Sequence, residues 1–440
     1  MRRTFIIEKN DKTRNCITVH PAIVQELQLY NIENPVLKFG TQQTKVIIKT
    51  SRQLNENNWL LSTNLINKLH IPLSPTYEIT ILNNEINIGP FIGILIGNSD
   101  EELKKRLPHL LDYVYSYPKI NGMIVTFSAE QIQPSKPLIN GYFYDHIDKL
   151  WKQGKFHYPS AILLRTILTP TRRKLLQKAV GNRIINSHVY NKWECYQAFA
   201  PLKEYIPNTY LYSEPTQIFS LLKQYNSLYI KPINSYGGQK ICKVLLDDNQ
   251  DIKLVINKKH SNKTITFNTK DRAIRYFRRL LIKDKWILQE PINMISSNDC
   301  LIDFRCIVIK GKNGKWGIAG IIGRYGPPSS IVSNIHAGGR AEMGMKTLMK
   351  TLKFTKQESI LQLRKISRLA LEAVQLLEAR GGHFGTTGVD IGMDKNRNLW
   401  LIEVNHRFPA HNIALDAGNS KLYYRITKKI MVHLKELAGF

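Results

Sequence analysis

Residues 1–89 alternate short apolar and β-branched runs with Asn, Asp and Pro. The runs Thr4–Ile7, Val36–Phe39, Lys45–Ile48 and Tyr77–Leu82 predict strands, because side chains of a strand point alternately to its two faces. Asn83-Asn84 predicts a turn. This stretch reads as a small β-rich domain without a cluster of chemistry-bearing side chains. At Phe91 the pattern changes. An apolar strand Phe91–Ile96, a helix Asp100–Ser116 and a strand Met123–Phe127 follow in β-α-β order. That order predicts a small α/β domain over residues 90–180, ending in a basic helix, Thr169–Val180.

Residues 181–440 mix both periods and read as a third domain, so the chain as a whole is α/β (α+β). Strand Ser227–Lys231 runs into a loop with two glycines, and hairpin-like strands continue to about residue 267. A basic helix near 270–282 precedes strands Trp286–Glu290, Asp303–Ile309 and Trp316–Arg324. Asn313-Gly314 suits a tight hairpin, since both residues tolerate positive φ. Thr355-Lys-Gln-Glu358 fits a capping box opening a long helix. Along that helix Ile360, Leu363, Ile366, Ala370, Val374 and Leu377 recur at helical spacing, and Gly381-Gly382 ends it. Two last strands, Thr387–Gly392 and Leu399–Val404, flank the polar turn Asp394–Asn398.

That last pair carries the strongest chemical signal. Glu403 and Asn405 share a face by alternation, and the short connection lets Asp390 on the neighbouring strand lie opposite them. Two carboxylates and an amide oxygen are the hard donor set that Mg²⁺ prefers when phosphate and water complete its shell. The competing reading is a solvated sheet face. In Lys231-Pro-Ile-Asn-Ser235-Tyr-Gly237-Gly238 a strand delivers a cation to a glycine loop, a pattern that suits phosphate but also fits many hairpins. The apolar strand ending in Gln289-Glu290-Pro291-Ile292 can hold an adenine against its backbone edge or be a buried strand end. Asp303 and Arg305 share a face, with Arg324 on the next strand; the arginines bind phosphate or carboxylate bidentately, or simply form an ion pair. Ser333-Asn334-Ile-His336-Ala-Gly338-Gly339 is a polar loop in which His336 lacks a second His at ligating spacing.

Charge adds a preference for anionic partners: 63 Lys and Arg against 34 Asp and Glu give a net charge of +29. The excess is uneven, with eleven basic and four acidic residues in 251–290, including Arg272, Arg275, Arg278 and Arg279. A solvated helix face explains this run, and aromatic-basic interleaving typical of nucleic-acid binders is missing. Five widely spaced cysteines without a CxxC argue against a disulfide framework and for a reducing compartment. No signal peptide is evident and the apolar run Pro90–Gly97 is too short to span a bilayer, so a cytoplasmic protein is expected.

Taken in chain order, these pieces resemble the ATP-grasp superfamily: lysine with glycine loop, hinge strand, Asp-Phe-Arg strand, Arg strand, Asn/Gly-Gly loop, helix, then Asp…Glu-x-Asn. Asp303–Gly339, with Trp316, Arg324 and Ser330-Ile-Val-Ser-Asn334, and Gly388–Asn405 look like the YheC/YheD family of endospore coat-associated ATP-grasp proteins. The resemblance covers roughly residues 91–440. It implies an ATP-grasp fold behind the small α/β domain and the N-terminal β-rich domain, with ATP and Mg²⁺ as cofactors. Lys192 resembles the first nucleotide-contacting lysine and Lys231 the second. Ser235, Gly237 and Gly238 resemble the phosphate-covering loop, and Gln289, Glu290 and Ile292 the adenine hinge. Asp390, Glu403 and Asn405 resemble the metal ligands, and Arg305 and Arg324 catalytic residues facing the γ-phosphate or acceptor.

The function implied is an ATP-dependent carboxylate–amine (peptide-like) ligase acting through an acyl phosphate and associated with spore coat formation. The alternative is a non-catalytic nucleotide-binding structural or regulatory spore coat protein; the sparse glycines around Tyr236 weigh toward it. Expected partners are ATP, a carboxylate/amine or peptide substrate and spore coat components, with location at the spore coat as a second possibility beside the cytoplasm. No nucleic-acid partner is expected.

Overall fold

The computed structural model describes residues 3–134, 137–235, 240–247, 249–257, 262–282, 285–328, 330, 331, 333 and 338–440. Two compact units emerge. One contains residues 1–187, 310–315 and 424–440; the other contains 188–309 and 316–423.

In the first unit, an eight-stranded sheet is built from strands between Thr4 and Gly89, and a six-stranded sheet from strands between Phe91 and Ile185. The expected strands Val36–Phe39, Phe91–Ile96 and Met123–Phe127 are present with those bounds. The expected strand Lys45–Ile48 is instead two strands, Gln42–Lys45 and Ile47–Thr50, because the chain leaves the first hairpin at Val46 and pairs Ile47 with Cys16. Helices Pro21–Glu26 and Thr63–Leu69 interrupt the front strands. One apolar cluster draws on both sheets: Phe39 stacks on Phe91 with ring centroids 4.7 Å apart.

The second unit holds two antiparallel sheets. The first runs in the order Thr209–Leu211, Trp286–Gln289, Ser227–Pro232, Cys242–Leu246, Ile252–Asn257, Asn262–Phe267. Helices Pro215–Tyr225 and Lys270–Leu280 cover one face: Ile218, Leu222, Ala273 and Phe277 pack on Leu228, Ile230, Val244, Leu254 and Leu288. The second sheet runs Arg340–Met343, Trp316–Tyr325, Cys300–Lys310, Thr386–Met393, Leu399–Asn405. Helix Lys356–Ala379 covers it, with Ile366, Ala370, Val374 and Leu377 buried against Phe304, Cys306, Val389 and Ile391. The capping box forms as read: Thr355 accepts from the Glu358 N–H while Glu358 receives the Thr355 N–H. Asn313 and Gly314 take positive φ, as their turn requires. Among the described residues no helix is long and apolar enough to cross a membrane.

Backbone constraint is sharpest at Gly122. Its φ is +67°, and a Cβ there would lie 2.1 Å from the Pro90 carbonyl oxygen. Gly181 has a similar φ of +68°, but a Cβ there meets nothing within 4 Å. Gly122→Ala therefore adds a backbone collision to the left-handed penalty and is expected to cost about 2–4 kcal/mol in urea unfolding, against about 1–2 kcal/mol for Gly181→Ala. Equal losses would mean the Pro90 carbonyl yields freely.

Candidate nucleotide and metal site

A cavity of about 580 Å³ lies in the second unit, walled by both of its sheets. Strand alternation builds one wall. Leu228, Ile230, Val244 and Leu288 face the helices, so Tyr229, Lys231, Lys243, Ile287 and Gln289 face the cavity. Register sets their neighbours: Tyr229 lies opposite Gln289 on one side and Lys243 on the other, and Lys231 lies opposite Ile287.

The two lysines sit in different electrostatic states. Lys192 is the first residue of helix Lys192–Ala198, fixed by an Asn191/Glu194 capping box and by its backbone N–H donating to the Ile233 carbonyl at 3.0 Å. Its ammonium donates to Glu403 Oε1 at 2.6 Å and to the Ser235 carbonyl at 2.9 Å. Lys231 donates to a neutral acceptor, Gln289 Oε1, at 2.6 Å. Desolvation, followed by repulsion from Lys192, pushes its pKa down to about 8 despite attraction from Glu403. Tyr229 lies beneath it, with Lys231 Nζ 5.4 Å and Lys243 Nζ 5.7 Å from the ring centroid.

The other wall is a buried charge network. Asp303 and Arg305 share a face of one strand, and Arg305 pairs in register with Asp390. Arg305 Nε donates to Asp390 Oδ1 and its Nη2 donates to Oδ2 at 3.1 Å. Arg324 grips Asp303 with Nε and Nη2, at 2.6 and 2.5 Å, and that Nη2 also lies 3.0 Å from Asp390 Oδ2. The Ser333 hydroxyl donates to Asp303. Burial pushes the Asp303 carboxyl up. Burial acts the same way on Asp390, but the guanidiniums of Arg305 and Arg324 outweigh it and hold that carboxyl below its ordinary range. Gly388 makes room for this geometry: a Cβ there would stand 3.0 Å from Arg305 Cδ. Arg305 and Arg324 each keep Nη1 without a protein hydrogen-bond partner among the described residues.

The oxygen set is brought together as a strand pair. Asp390 pairs with Glu403 and Gly388 with Asn405, with a bulge directly after Asp390. Asn405 Nδ2 donates to Asp390 Oδ2 at 3.0 Å. Glu403 turns to Lys192 rather than to Asp390. Among the described residues no three His, Cys, Asp or Glu side chains gather as a metal cage. Two carboxylates and an amide suit a hard ion that takes the remainder of its shell from phosphate and water, which is how Mg²⁺ is ordinarily bound. The residues present fit such an ion once Lys192 leaves Glu403, Asn405 turns its amide oxygen toward the ion, and Asp390 shares an oxygen now held by Arg305 and Arg324.

The remaining candidates are placed as follows. The Gln289 side chain is engaged on both ends, by Lys231 and by Thr209 Oγ1 at 2.8 Å. Glu290 accepts from the Asn208 backbone and side chain, both at 2.9 Å. Ile292 lines the cavity. The Ser235 hydroxyl donates to the Pro232 carbonyl at 3.2 Å. Gly237, Gly238, Asn334 and His336 lie outside the described residues. Further lining residues are Cys195, His406, Arg407 and Phe408. Burial pushes the Cys195 thiol up to about 12, which keeps it protonated and non-nucleophilic near neutrality. His406 Nε2 accepts the Tyr190 N–H at 3.0 Å, tying the segment before Lys192 to the strand that carries Glu403. The sequence held one hint of this role, the position of His406 directly after Glu403-Val-Asn405.

Residues 181–437 match the sequence model of a family described as YheC/D like ATP-grasp. The endospore coat-associated protein YheD of Bacillus subtilis (strain 168) is 26% identical over 432 residues, covering 92% of this chain and 90% of that protein. Endospore coat-associated protein YheC of the same organism is 20% identical over 302 residues, covering 66% and 82%. Among solved structures, the ATP-grasp ligase PsnB complexed with minimal precursor superposes with a TM-score of 0.47 at 11% identity, over 79% of this chain and 99% of that one. The D-alanine-D-alanine ligase from Coxiella burnetii gives a TM-score of 0.44 at 10% identity, over 78% and 96%. With the family match spanning more than half of its length, this chain belongs to the YheC/D-like ATP-grasp family.

Proposed function

We propose that this chain binds ATP with Mg²⁺ in the cavity and uses them as a carboxylate–amine ligase for a peptide-like substrate, in the service of the spore coat. The observation that carries this reading is the meeting of Lys192, Lys231, Arg305 and Arg324 with the oxygen set of Asp390, Glu403 and Asn405 around one cavity. The coat association follows the name of the relative YheD.

In this reading the Lys192–Glu403 pair is exchangeable. With ligand bound, the lysine would pair with a polyphosphate and the carboxylate would be free to hold a divalent cation, so neither side chain would be left without an opposite charge. Asp390, Glu403 and Asn405 would hold the metal, whose contribution is to offset charge on the phosphate oxygens. Lys231 adds an ammonium that no carboxylate has neutralised. A substrate carboxylate attacks the γ-phosphorus, ADP leaves, and an amine then displaces phosphate from the acyl phosphate. Arg305 and Arg324 offer Nη1 donors to the charge that develops, held in place by Asp390 and Asp303 so that little reorganisation is needed. No protein nucleophile is required.

Glu403→Gln keeps the shape and removes the charge. Its affinity for ATP in the presence of Mg²⁺ is expected to fall about 10–100-fold, the range for loss of support at a metal site. Calorimetric titration checks this, and wild-type affinity in the variant would refute the site. Release of ADP and phosphate on adding carboxylate and amine pools, with product masses measured, distinguishes the ligase from a protein that binds ATP without turnover.

Lys231 sets a pH dependence. Free protein loses this proton near pH 8, and a bound polyphosphate stabilises the charged form. Above pH 8 binding therefore takes up protons and affinity falls as pH rises; below pH 8 this group contributes no slope. Titrations at pH 8.5 in buffers of different ionisation enthalpy are expected to show uptake of up to about three-quarters of a proton per nucleotide in wild type and less in Lys231→Arg. Equal uptake in both would move the effect to another group.

A further inference from the structure

We propose that Lys243 anchors a second carboxylate of the peptide-like substrate, so that the cavity selects substrates with two acidic groups. The identity of the anion rests on the ligase reading above, whereas the anion subsite rests on the cavity itself.

The place of Lys243 in the sheet and its lack of an acid support the assignment. Cys242 and Val244 pack under the helices, so Lys243 between them faces the cavity and lines it. Register sets Lys243 opposite Tyr229, and Tyr229 opposite Gln289, so Lys243 stands two strands, about 10 Å, from the hinge strand. Among the described residues its ammonium has no carboxylate partner and no hydrogen-bond acceptor; it rests 5.7 Å from the centroid of the Tyr229 ring. A ring face attracts a cation but accepts no conventional hydrogen bond from it, so all three donors stay available to an anion. The Tyr229 hydroxyl donates to the Ile331 carbonyl at 3.0 Å, which fixes the ring that carries the ammonium. Lys253 is the contrast. It shares the sheet face one strand further out, beyond the cavity lining, and there it pairs with Asp247 at 3.0 Å. The lysine outside the cavity has its acid, while Lys243 inside meets none among the described residues.

Electrostatics separate this position from the phosphate site. Lys192 and Glu403 both act on Lys231, which places that ammonium in the charge cluster of the proposed metal and phosphates. Desolvation alone moves Lys243, pushing its pKa below the usual lysine range. Lys243 thus lies outside the reach of that cluster, and a polyphosphate held by Lys192 and Lys231 leaves it uncompensated. The carboxylate to be phosphorylated belongs beside Arg305 and Arg324, at the γ-phosphate. The anion left for Lys243 is a further carboxylate on the same substrate, and a partly desolvated ammonium gains most from a charged acceptor.

The test is calorimetric titration of the full chain with the α,ω-dicarboxylates from succinate to pimelate and with their monoamides, in the presence and absence of Mg²⁺ and AMP-PNP. Each dicarboxylate and its monoamide share a shape and differ by one charge. Wild type is expected to bind at least one dicarboxylate about tenfold more tightly than its monoamide, the scale of one charge-assisted hydrogen bond. Lys243→Met should erase that preference and Lys253→Met should leave it intact, with affinity for Mg²⁺ and AMP-PNP within about twofold of wild type in both, as expected for separate sites. Absence of the preference in wild type, its survival in Lys243→Met, or its equal loss in Lys253→Met would overturn the proposal. So would a loss of nucleotide affinity of about tenfold in Lys243→Met, which would give this lysine to the phosphates. If wild type binds no nucleotide, the ligase reading fails, and the titration of nucleotide-free protein still decides whether Lys243 holds a carboxylate.

Discussion

Four charged side chains that almost no water reaches govern the second unit. Asp303 is 1% exposed, Asp390 5%, and Arg305 and Arg324 7% each. Ions so deprived of hydration are tolerable only when each is paired and hydrogen-bonded, and removing one member of such a set typically costs about 3–5 kcal/mol. The network therefore constrains everything around it. Three adjacent strands must keep the register that aligns Arg305 with Asp390. Gly388 must leave space for the Arg305 side chain. The apolar layer of Phe304, Cys306, Val389 and Ile391 on the opposite face must lock against the long helix, since a slip of one residue would exchange charges for core. What is expensive to fold is also stiff, and stiffness is what a site needs when its donors must already be aimed before charge moves.

The opposite wall is constrained in another way. Its lysines are neither deeply networked nor equivalent. Lys192 is held at a helix start and neutralised by Glu403, while Lys231 is held by an amide and keeps its charge at some cost in desolvation. A cavity of this kind attracts an anion through Lys231 and adapts to it through Lys192. On the proposed function the rigid wall would orient the reacting groups and the adaptable wall would accommodate a charged ligand, a division that follows from which cations have carboxylate partners.

Much of this was legible in the sequence because it obeys local rules. Alternation located the strand Val36–Phe39, continuous apolar runs located Phe91–Ile96 and Met123–Phe127, and the capping pair Thr355 and Glu358 located the long helix. Alternation also put Asp303 beside Arg305 and Glu403 beside Asn405. Other features depend on distant neighbours. The helices Pro215–Tyr225 and Ser420–Leu437 are absent from the expected elements; the first opens without a side-chain cap, although Pro215 sits at a favourable first turn. The hairpin Ile139–Asp145/Leu150–Phe156 carries so many polar and exposed positions that alternation is faint. Sequence also left open which acid each arginine would meet. That Asp390 is shared by two guanidiniums, that Glu403 turns to Lys192, and that Gln289 is occupied by Lys231 are consequences of register between strands far apart in the chain.

The net charge of +29 finds its explanation elsewhere than in the cavity. Within the cavity the strongest cations meet acids: Arg305 and Arg324 with Asp390 and Asp303, Lys192 with Glu403. A visible part of the excess lies on helix Lys270–Leu280, where Arg272, Arg275, Arg278 and Arg279 are exposed while Ala273 and Phe277 are buried against the sheet. Those buried residues touch the face formed by Leu228, Ile230 and Leu288, and Lys231 and Gln289 project from the other. The sheet thus separates the arginines from the cavity. Their field can raise the local concentration of anions by long-range attraction, an effect that fades with salt, but close-range recognition falls to the few groups inside. Global charge and site chemistry are in this chain two separate properties, and only the second depends on strand register.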